Sequence, residues 1–216
     1  MHRSDGAAKP RSGVLPEGAV ATMNQTVPLC LASSSPRRAE LLRRYDLQFE
    51  QYAPEVDESP RSGESPASLV QRLAIAKAEA GRSRFPAHLI LGADTTVVVG
   101  GEMLGKPESS TDAARMLEAL SGRTHEVLSA YCLLHGKAAG PHVRLVETKV
   151  TFRRLPPFWI TWYSAQPEAL DKAGAYGIQG IGGAMISRIE GSYTCVMGLP
   201  VEAIVWDLLE RGWLTL

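Results

Sequence analysis

Short apolar runs and stretches of helical spacing alternate along the chain. Residues 29–32, LCLA, form an unbroken apolar run that is typical of a buried strand, and residues 48–52 are a second strand candidate. Between them, the Ser-Pro pair at 35–36 predicts a helix start, because serine caps the free N–H groups and proline has no N–H to lose. The same pair recurs at 65–66 and predicts a helix that we expect to stop at Gly81.

The middle of the chain has a strong strand pattern. Residues 89–104, LILGADTTVVVGGEML, predict a strand with a bend at 93–94, followed by a hairpin turn at 100–101. Strands and helices mix without a strict βαβ rhythm, so we expect a mixed α/β or α+β protein, with a twisted mixed sheet flanked by helices, rather than a Rossmann array. The further candidates are a helix at 113–120, strands at 126–134 and 145–152, a short aromatic helix from Pro157 and a final helix from Pro200.

The first 24 residues differ from the rest of the chain. They mix glycine, proline, alanine and charged residues without any period, which is typical of a disordered extension. Residues 25–216 are then expected to form a single catalytic domain. Met23, near the end of this segment, is a candidate for the natural start, which N-terminal sequencing of the native protein would test.

Composition narrows the classes of partner. Lys plus Arg and Asp plus Glu both number 23 in the 216 residues, so no global charge favours nucleic acid or a membrane surface. The three cysteines have neither a metal-binding spacing nor an even number, which favours a reducing compartment. The sequence has no apolar run of about 18 residues and no secretory signal. We therefore expect a cytoplasmic protein, and any anion site must be local.

The first helix start carries the first candidate chemistry. Its N-terminus offers free N–H donors, the preceding serines add hydroxyls, and Arg37 and Arg38 can clamp an anion. An anion would also explain two cations at the positive end of a helix, where they are otherwise disfavoured. The alternative is a solvated helix start with both arginines in water. A P-loop is excluded, because the chain has no GxxxxGK[ST] motif.

A second candidate group combines acids and cations. Asp94 interrupts an apolar strand, and a carboxylate there is unfavourable to bury unless it is functional or paired. Lys106 follows the hairpin and can return close to it, so the two suggest an acid pole beside a phosphate-binding cation. The alternative is a structural ion pair. Glu58 and Lys77 are weaker candidates, since Lys77 sits at the edge of an apolar stripe, where a surface lysine is the default.

A third candidate is the glycine-rich segment at 171–193, DKAGAYGIQGIGGAMISRIEGSY. Its glycines permit close approach of the backbone to a ligand. Tyr176 offers a ring for stacking, and Gln179 offers an amide that can read the edge of a base. A flexible structural loop is the alternative.

Together these stretches resemble the Maf family of nucleoside triphosphate pyrophosphatases over about residues 28–212. The resemblance implies a mixed α/β fold like that of the inosine triphosphate pyrophosphatases, with two lobes around a cleft. It also implies hydrolysis between the α and β phosphates with Mg²⁺ or Mn²⁺, and a homodimer. The motifs, in order, are LASSSPRRAELL, VDE, RLAIAKA, LGADTTVVVGGEMLGKP, MLEALSGRTHEV, ETKVTFRRL, DKAGAYGIQG and RIEGSYTCVMGLPV.

The resemblance also implies a role for each matching residue in phosphate binding. The residues that would contact the phosphates are Ser33, Arg37, Arg38, Lys77 and Lys106. This agrees with the anion site expected from the helix end.

The remaining roles concern the metal, the water and the base. Glu58 and Asp94 would be the acids linked to the metal, with Asp94 also the proton acceptor. Arg37, Thr95 and Gln179 match the residues that mark the family's dTTP/UTP branch, so a 7-methyl-GTP pyrophosphatase is less favoured. The other alternative function is a non-catalytic, nucleotide-binding regulator of cell division. For the cellular role, cleansing of the nucleotide pool and control of division both stay open.

Overall fold

The fold is organised on one mixed sheet, in a computed structural model that describes residues 23–136 and 140–215. The strands are β1 (Asn24–Gln25), β2 (Leu29–Ala32), β3 (Phe49–Tyr52), β4 (Leu89–Val99), β5 (Glu102–Leu104), β6 (Thr124–His135), β7 (His142–Phe152), β8 (Ile186–Glu190) and β9 (Leu214–Thr215). The α-helices are α1 (Pro36–Arg43), α2 (Pro66–Arg84), α3 (Ser110–Leu120), α4 (Pro157–Ser164), α5 (Pro167–Leu170), α6 (Tyr193–Val196) and α7 (Val201–Glu210). Short 3₁₀ helices cover Ala173–Ala175 and Ile181–Met185.

The main sheet has the strand order β3-β2-β4-β6-β7-β8, with β5 paired to β4. Strand β2 runs parallel to β3 and β4, while β4, β6, β7 and β8 are antiparallel neighbours. This combination confirms the expected mixed α/β class. The parallel strands are joined through α1 and α2. Of the long antiparallel strands, β6 and β7 follow each other along the chain, whereas β5 and α3 lie between β4 and β6.

Helix α2 packs directly on the sheet and does not stop where the sequence suggests. It runs through Gly81 to Arg84, so the predicted stop is wrong. A β-carbon at Gly81 would lie 2.7 Å from Cγ2 of Ile90, and one at Gly92 would lie 2.2 Å from the Ala74 carbonyl oxygen. Glycine at these two positions therefore allows the helix to pack close to the sheet. The local sequence does not distinguish a glycine used for packing from a glycine that ends a helix.

Strand β4 is also straighter than expected. The prediction of a bend at 93–94 is wrong, because Ala93 and Asp94 pair in unbroken antiparallel register with Tyr131 and Ala130. The strand continues through Asp94 because the carboxylate pairs with a cationic side chain on the neighbouring helix, described below. Strand β4 thus carries a charged side chain within the body of the sheet.

The first and last strands of the described residues lie together in a small second sheet. Strand β1 pairs antiparallel with β9, with Asn24 opposite Thr215. Asn24 therefore belongs to the folded part, which corrects the boundary expected for the extension. Residues 1–22 lie outside the described residues, so their expected disorder stays a prediction.

The cysteines are part of the core. Cys30, Cys132 and Cys195 are buried free thiols. Within the part of the chain that the structure describes, no helix has both the length and the apolar character to cross a membrane.

His125 packs in the core as a neutral side chain. Its ring makes edge contacts with Phe152 and Tyr176, and its Nε2 hydrogen-bonds the Tyr176 hydroxyl at 2.8 Å. The Nδ1 atom is buried without a partner among the described residues. Burial lowers the pKa of His125 to about 4. Tyr176 packs against His125 in the core and also lines the cavity described below, so a stacking role for its ring stays a prediction.

This histidine gives stability a defined dependence on pH. Its ordinary pKa is 6.5, so between pH 6.5 and 4 the unfolded chain binds a proton that the folded chain does not. We expect the free energy of unfolding to fall by up to about 3 kcal/mol as the pH drops through that window. Urea denaturation at several pH values measures this. His125→Gln should flatten the dependence, and an equally steep curve in that variant would contradict it.

Candidate active site

A cavity of about 690 Å³ opens between the start of α1, strand β4 and the segments at 172–179 and 196–198. This volume is typical of a site for a small ligand. Its wall has five cationic side chains and two carboxylates, so the charge of the cavity favours a polyanion. The cations are Arg37, Arg38, Lys77, Lys106 and Lys172, and the acids are Glu58 and Asp94.

The start of α1 supplies one wall of the cavity. Ser35 is the N-cap, and its hydroxyl accepts a hydrogen bond from the Arg38 N–H at 3.4 Å, as the sequence predicts. Ser34 and Ser35 line the cavity together with Arg37. Arg37 Nη1 reaches across to Asp171 Oδ2 at 2.7 Å. Both partners are partly exposed, so a ligand phosphate can compete for this guanidinium.

The guanidinium of Arg38 is held by hydrogen bonds to other groups of the protein. Its Nε donates to the Gly198 carbonyl at 2.8 Å, and its Nη1 donates to the Ala93 carbonyl at 2.7 Å. Ser33, which is buried and is not among the residues that line the cavity, accepts from the same Nη1 at 3.2 Å. Ser33 thus helps to hold the arginine in place, while the phosphate contact that the resemblance implies for it stays a prediction.

Lys77, Asp94 and Glu58 form one charged cluster. Lys77 Nζ lies 2.7 Å from Asp94 Oδ1 and 2.7 Å from Glu58 Oε1. Lys77 and Asp94 are buried, whereas the Glu58 side chain is 60% exposed. The structure thus brings together three residues that are far apart in sequence, and it corrects the surface position that is the default for Lys77.

Burial raises the pKa of the Asp94 carboxyl above its ordinary value, although Lys77 and then Arg38 act against that shift. A carboxylate with a raised pKa is a better proton acceptor. Asp94 therefore has the chemistry expected of a general base that faces the cavity.

The residues present fit a divalent cation that takes only some of its ligands from the protein. Among residues 23–136 and 140–215 there is no group of three or more His, Cys, Asp or Glu side chains placed to hold a metal. Glu58 and Asp94 offer two hard carboxylates that share the Lys77 ammonium. Mg²⁺ commonly takes one or two carboxylates, with substrate phosphates and water as its other ligands. The two acids suit that mode of binding.

Thr95 lines the cavity, and its hydroxyl belongs to a network of hydrogen bonds in the cavity wall. It lies 2.8 Å from Ser129 Oγ, donates to the Gly198 carbonyl at 3.1 Å and accepts from Arg38 Nη2 at 3.2 Å. Ser129 in turn donates to the Cys195 carbonyl at 2.9 Å. Thr95 is thus placed to influence a ligand through Arg38 and the turn at 196–198.

The remaining candidates lie at the open side of the cavity. Lys106 and Gln179 are exposed and line it, as does Lys172, which is partly buried. Sequence reasoning did not single out Lys172, although it lies within the DKAGAYGIQG motif. The cavity wall thus combines its cations with an amide and with the apolar side chains of Leu69 and Leu73.

Comparisons with known proteins agree on one family. The model described as "Maf-like protein" matches residues 28–211. A Shewanella oneidensis protein named dTTP/UTP pyrophosphatase is 51% identical over 192 residues, covering 85% of this chain and 98% of that protein. One of the same name from Syntrophus aciditrophicus is 45% identical over 190 residues, covering 88% and 93%.

Among solved structures, the Ham1 protein of Staphylococcus aureus aligns at a TM-score of 0.40 and 14% identity. The alignment covers 58% of this chain and 71% of that one. This likeness is too weak to add to the fold described above.

Proposed function

The chain belongs to the Maf-like family, and from this premise we propose that it is an enzyme that hydrolyses dTTP and UTP. The products are the nucleoside monophosphate and pyrophosphate. The observation that carries the proposal is the cavity that gathers five cations around the buried Asp94, in a chain half identical to a relative of that name.

The triphosphate is bound by the cationic wall. Arg37 and Lys106, which line the cavity, would contact phosphate oxygens directly, and the N–H groups at the start of α1 would donate hydrogen bonds to a further oxygen. The same groups stabilise the negative charge that builds up on the departing pyrophosphate. Arg38 contributes its positive charge while its hydrogen bonds keep the Ala93 and Gly198 carbonyls in place.

Asp94 orients a water molecule and accepts its proton as the water attacks the α phosphorus. The P–O bond to the β phosphate breaks, and pyrophosphate leaves with the bridging oxygen. Lys77 keeps Asp94 Oδ1 fixed through its 2.7 Å contact. Because burial already raises the pKa of Asp94, proton transfer to this carboxylate is easier than to an exposed one.

Glu58 and Asp94 would hold a divalent cation, Mg²⁺ or Mn²⁺, which would neutralise phosphate charge when bound. Gln179 is proposed to read the pyrimidine edge, since a site built to hydrogen-bond one base leaves groups unpaired when another base enters. We also expect a homodimer, which analytical ultracentrifugation would measure.

The function is tested by pyrophosphate release from a panel of canonical triphosphates and 7-methyl-GTP, with Mg²⁺, with Mn²⁺ and with chelator. We expect turnover of dTTP and UTP at least tenfold above ATP and GTP, and loss of turnover in chelator. Preference for a purine would contradict the proposal. Nucleotide binding without any release would instead favour the non-catalytic regulator.

A further inference from the structure

The loop that carries Gln179 is folded around the side chain of Glu168. A β-carbon on Gly177 would lie 2.4 Å from Glu168 Oε1, and one on Gly180 would lie 2.2 Å from the same atom. The Ile181 N–H donates to Glu168 Oε2 at 3.1 Å. The carboxylate therefore occupies the space that side chains at 177 and 180 would need. Glycine at both positions allows the loop backbone to lie close to Glu168.

Tyr163 supports the same loop from inside the protein. Its hydroxyl accepts a hydrogen bond from the Gly177 N–H at 3.3 Å, and a β-carbon on Gly182 would lie 2.5 Å from that oxygen. Tyr163 is fully buried, and burial, together with the neighbouring Glu168 carboxylate, raises its pKa to about 12. It thus remains a neutral phenol at any working pH.

Neither support lines the cavity, whereas the loop does. Gly177, Ile178 and Gln179 all form part of the cavity wall, while Glu168 and Tyr163 lie behind them. The Glu168 carbonyl also accepts a hydrogen bond from Lys172 Nζ at 3.4 Å, but a side-chain substitution at 168 keeps that carbonyl, so its effect on a bound nucleotide passes mainly through the loop.

We propose that Glu168, assisted by Tyr163, is a positioning residue that sets base selectivity by holding residues 177–181 in the base-reading conformation. This inference rests on the proposed function, because it takes Gln179 as the contact to the base. It assigns to Glu168 a role in discrimination and none in the phosphate chemistry.

Removing the support should change binding of the base far more than turnover. For Glu168→Ala we expect KM for dTTP to rise about tenfold, the size of one lost hydrogen bond to a charged group, with kcat within about twofold of the wild type. The preference for dTTP over GTP should fall by a similar factor. Glu168→Gln keeps an oxygen that can accept the Ile181 N–H, so it should recover most of the preference.

The same support can be disturbed from the loop side. Gly180 has φ −105°, outside the left-handed region that favours glycine, but a β-carbon there would displace the Glu168 carboxylate. Gly180→Ala should therefore raise KM for dTTP as Glu168→Ala does. The double variant should be no worse than either single variant, because both changes remove one interaction.

Glu190→Ala is the matched control, since Glu190 is an exposed glutamate on β8 that pairs with Arg188 at 3.0 Å, away from the loop. It should keep wild-type KM and preference. The inference is overturned if Glu168→Ala keeps the wild-type preference for dTTP over GTP. It is also overturned if the substitution lowers kcat and thermal stability but leaves KM and that preference unchanged. If Glu168→Ala does not fold, Gly180→Ala decides, and the wild-type preference in that variant overturns the inference. A wild-type enzyme that lacks any preference for dTTP and UTP would fail the proposed function instead.

Discussion

Asp94→Asn is expected to leave the protein folded and to lower the rate of pyrophosphate release from dTTP about a thousandfold. The amide cannot accept the proton of the attacking water, and general-base contributions are typically ~10²–10⁴-fold. The fold should survive because Lys77 keeps Glu58 as a partner at 2.7 Å. Initial rates with saturating dTTP and metal, together with thermal melting, measure both effects.

Asp112→Asn is the matched control for that change. Asp112 is an aspartate in the first turn of α3 that pairs with Arg115 at 2.8 Å, and it does not line the cavity. Its variant should turn over dTTP like the wild type. Pyrophosphate release by Asp94→Asn at the wild-type rate would remove Asp94 from the mechanism.

Arg38→Met is expected to reduce the free energy of unfolding by about 3 kcal/mol. The substitution removes the charged donor from the carbonyls of Ala93 and Gly198 and from the hydroxyl of Thr95, and hydrogen bonds to a charged group each contribute about 1.5–3 kcal/mol. The Gly198 carbonyl keeps the Thr95 hydroxyl as a donor, which limits the loss. Urea denaturation measures the loss.

The neighbouring arginine provides the comparison. Arg37→Met removes an exposed ion pair with Asp171, so we expect its free energy of unfolding to stay within about 1 kcal/mol of the wild type. Its KM for dTTP should rise about tenfold, because a direct phosphate contact is lost. Equal stability of the two variants would contradict the role of Arg38 in keeping the backbone carbonyls in place.

Local signals in the sequence predicted the elements that bring the site together. The starts of α1 and α2 follow from Ser-Pro pairs, because an N-cap depends only on residues within one turn. The hairpin between β4 and β5 likewise follows from Gly100 and Gly101, whose positive φ values are a local property of the turn.

Features that depend on distant partners could not be read in the same way. The pattern around Lys77 is that of a surface lysine, and its burial is decided by Asp94 and Glu58, which lie on other segments. The glycines of the Gln179 loop suggest space for a ligand, whereas the structure fills that space with Glu168. In both cases the residue type was informative, but only the fold identifies the partner.

In the proposed mechanism, water attacks the α phosphorus of a triphosphate bound in the cavity. Hydrolysis of dTTP in H₂¹⁸O, followed by separation of the products and mass spectrometry, shows which phosphorus the water attacks. We expect one ¹⁸O atom in the nucleoside monophosphate and none in pyrophosphate. Label in pyrophosphate, or release of orthophosphate with a nucleoside diphosphate, would contradict the mechanism.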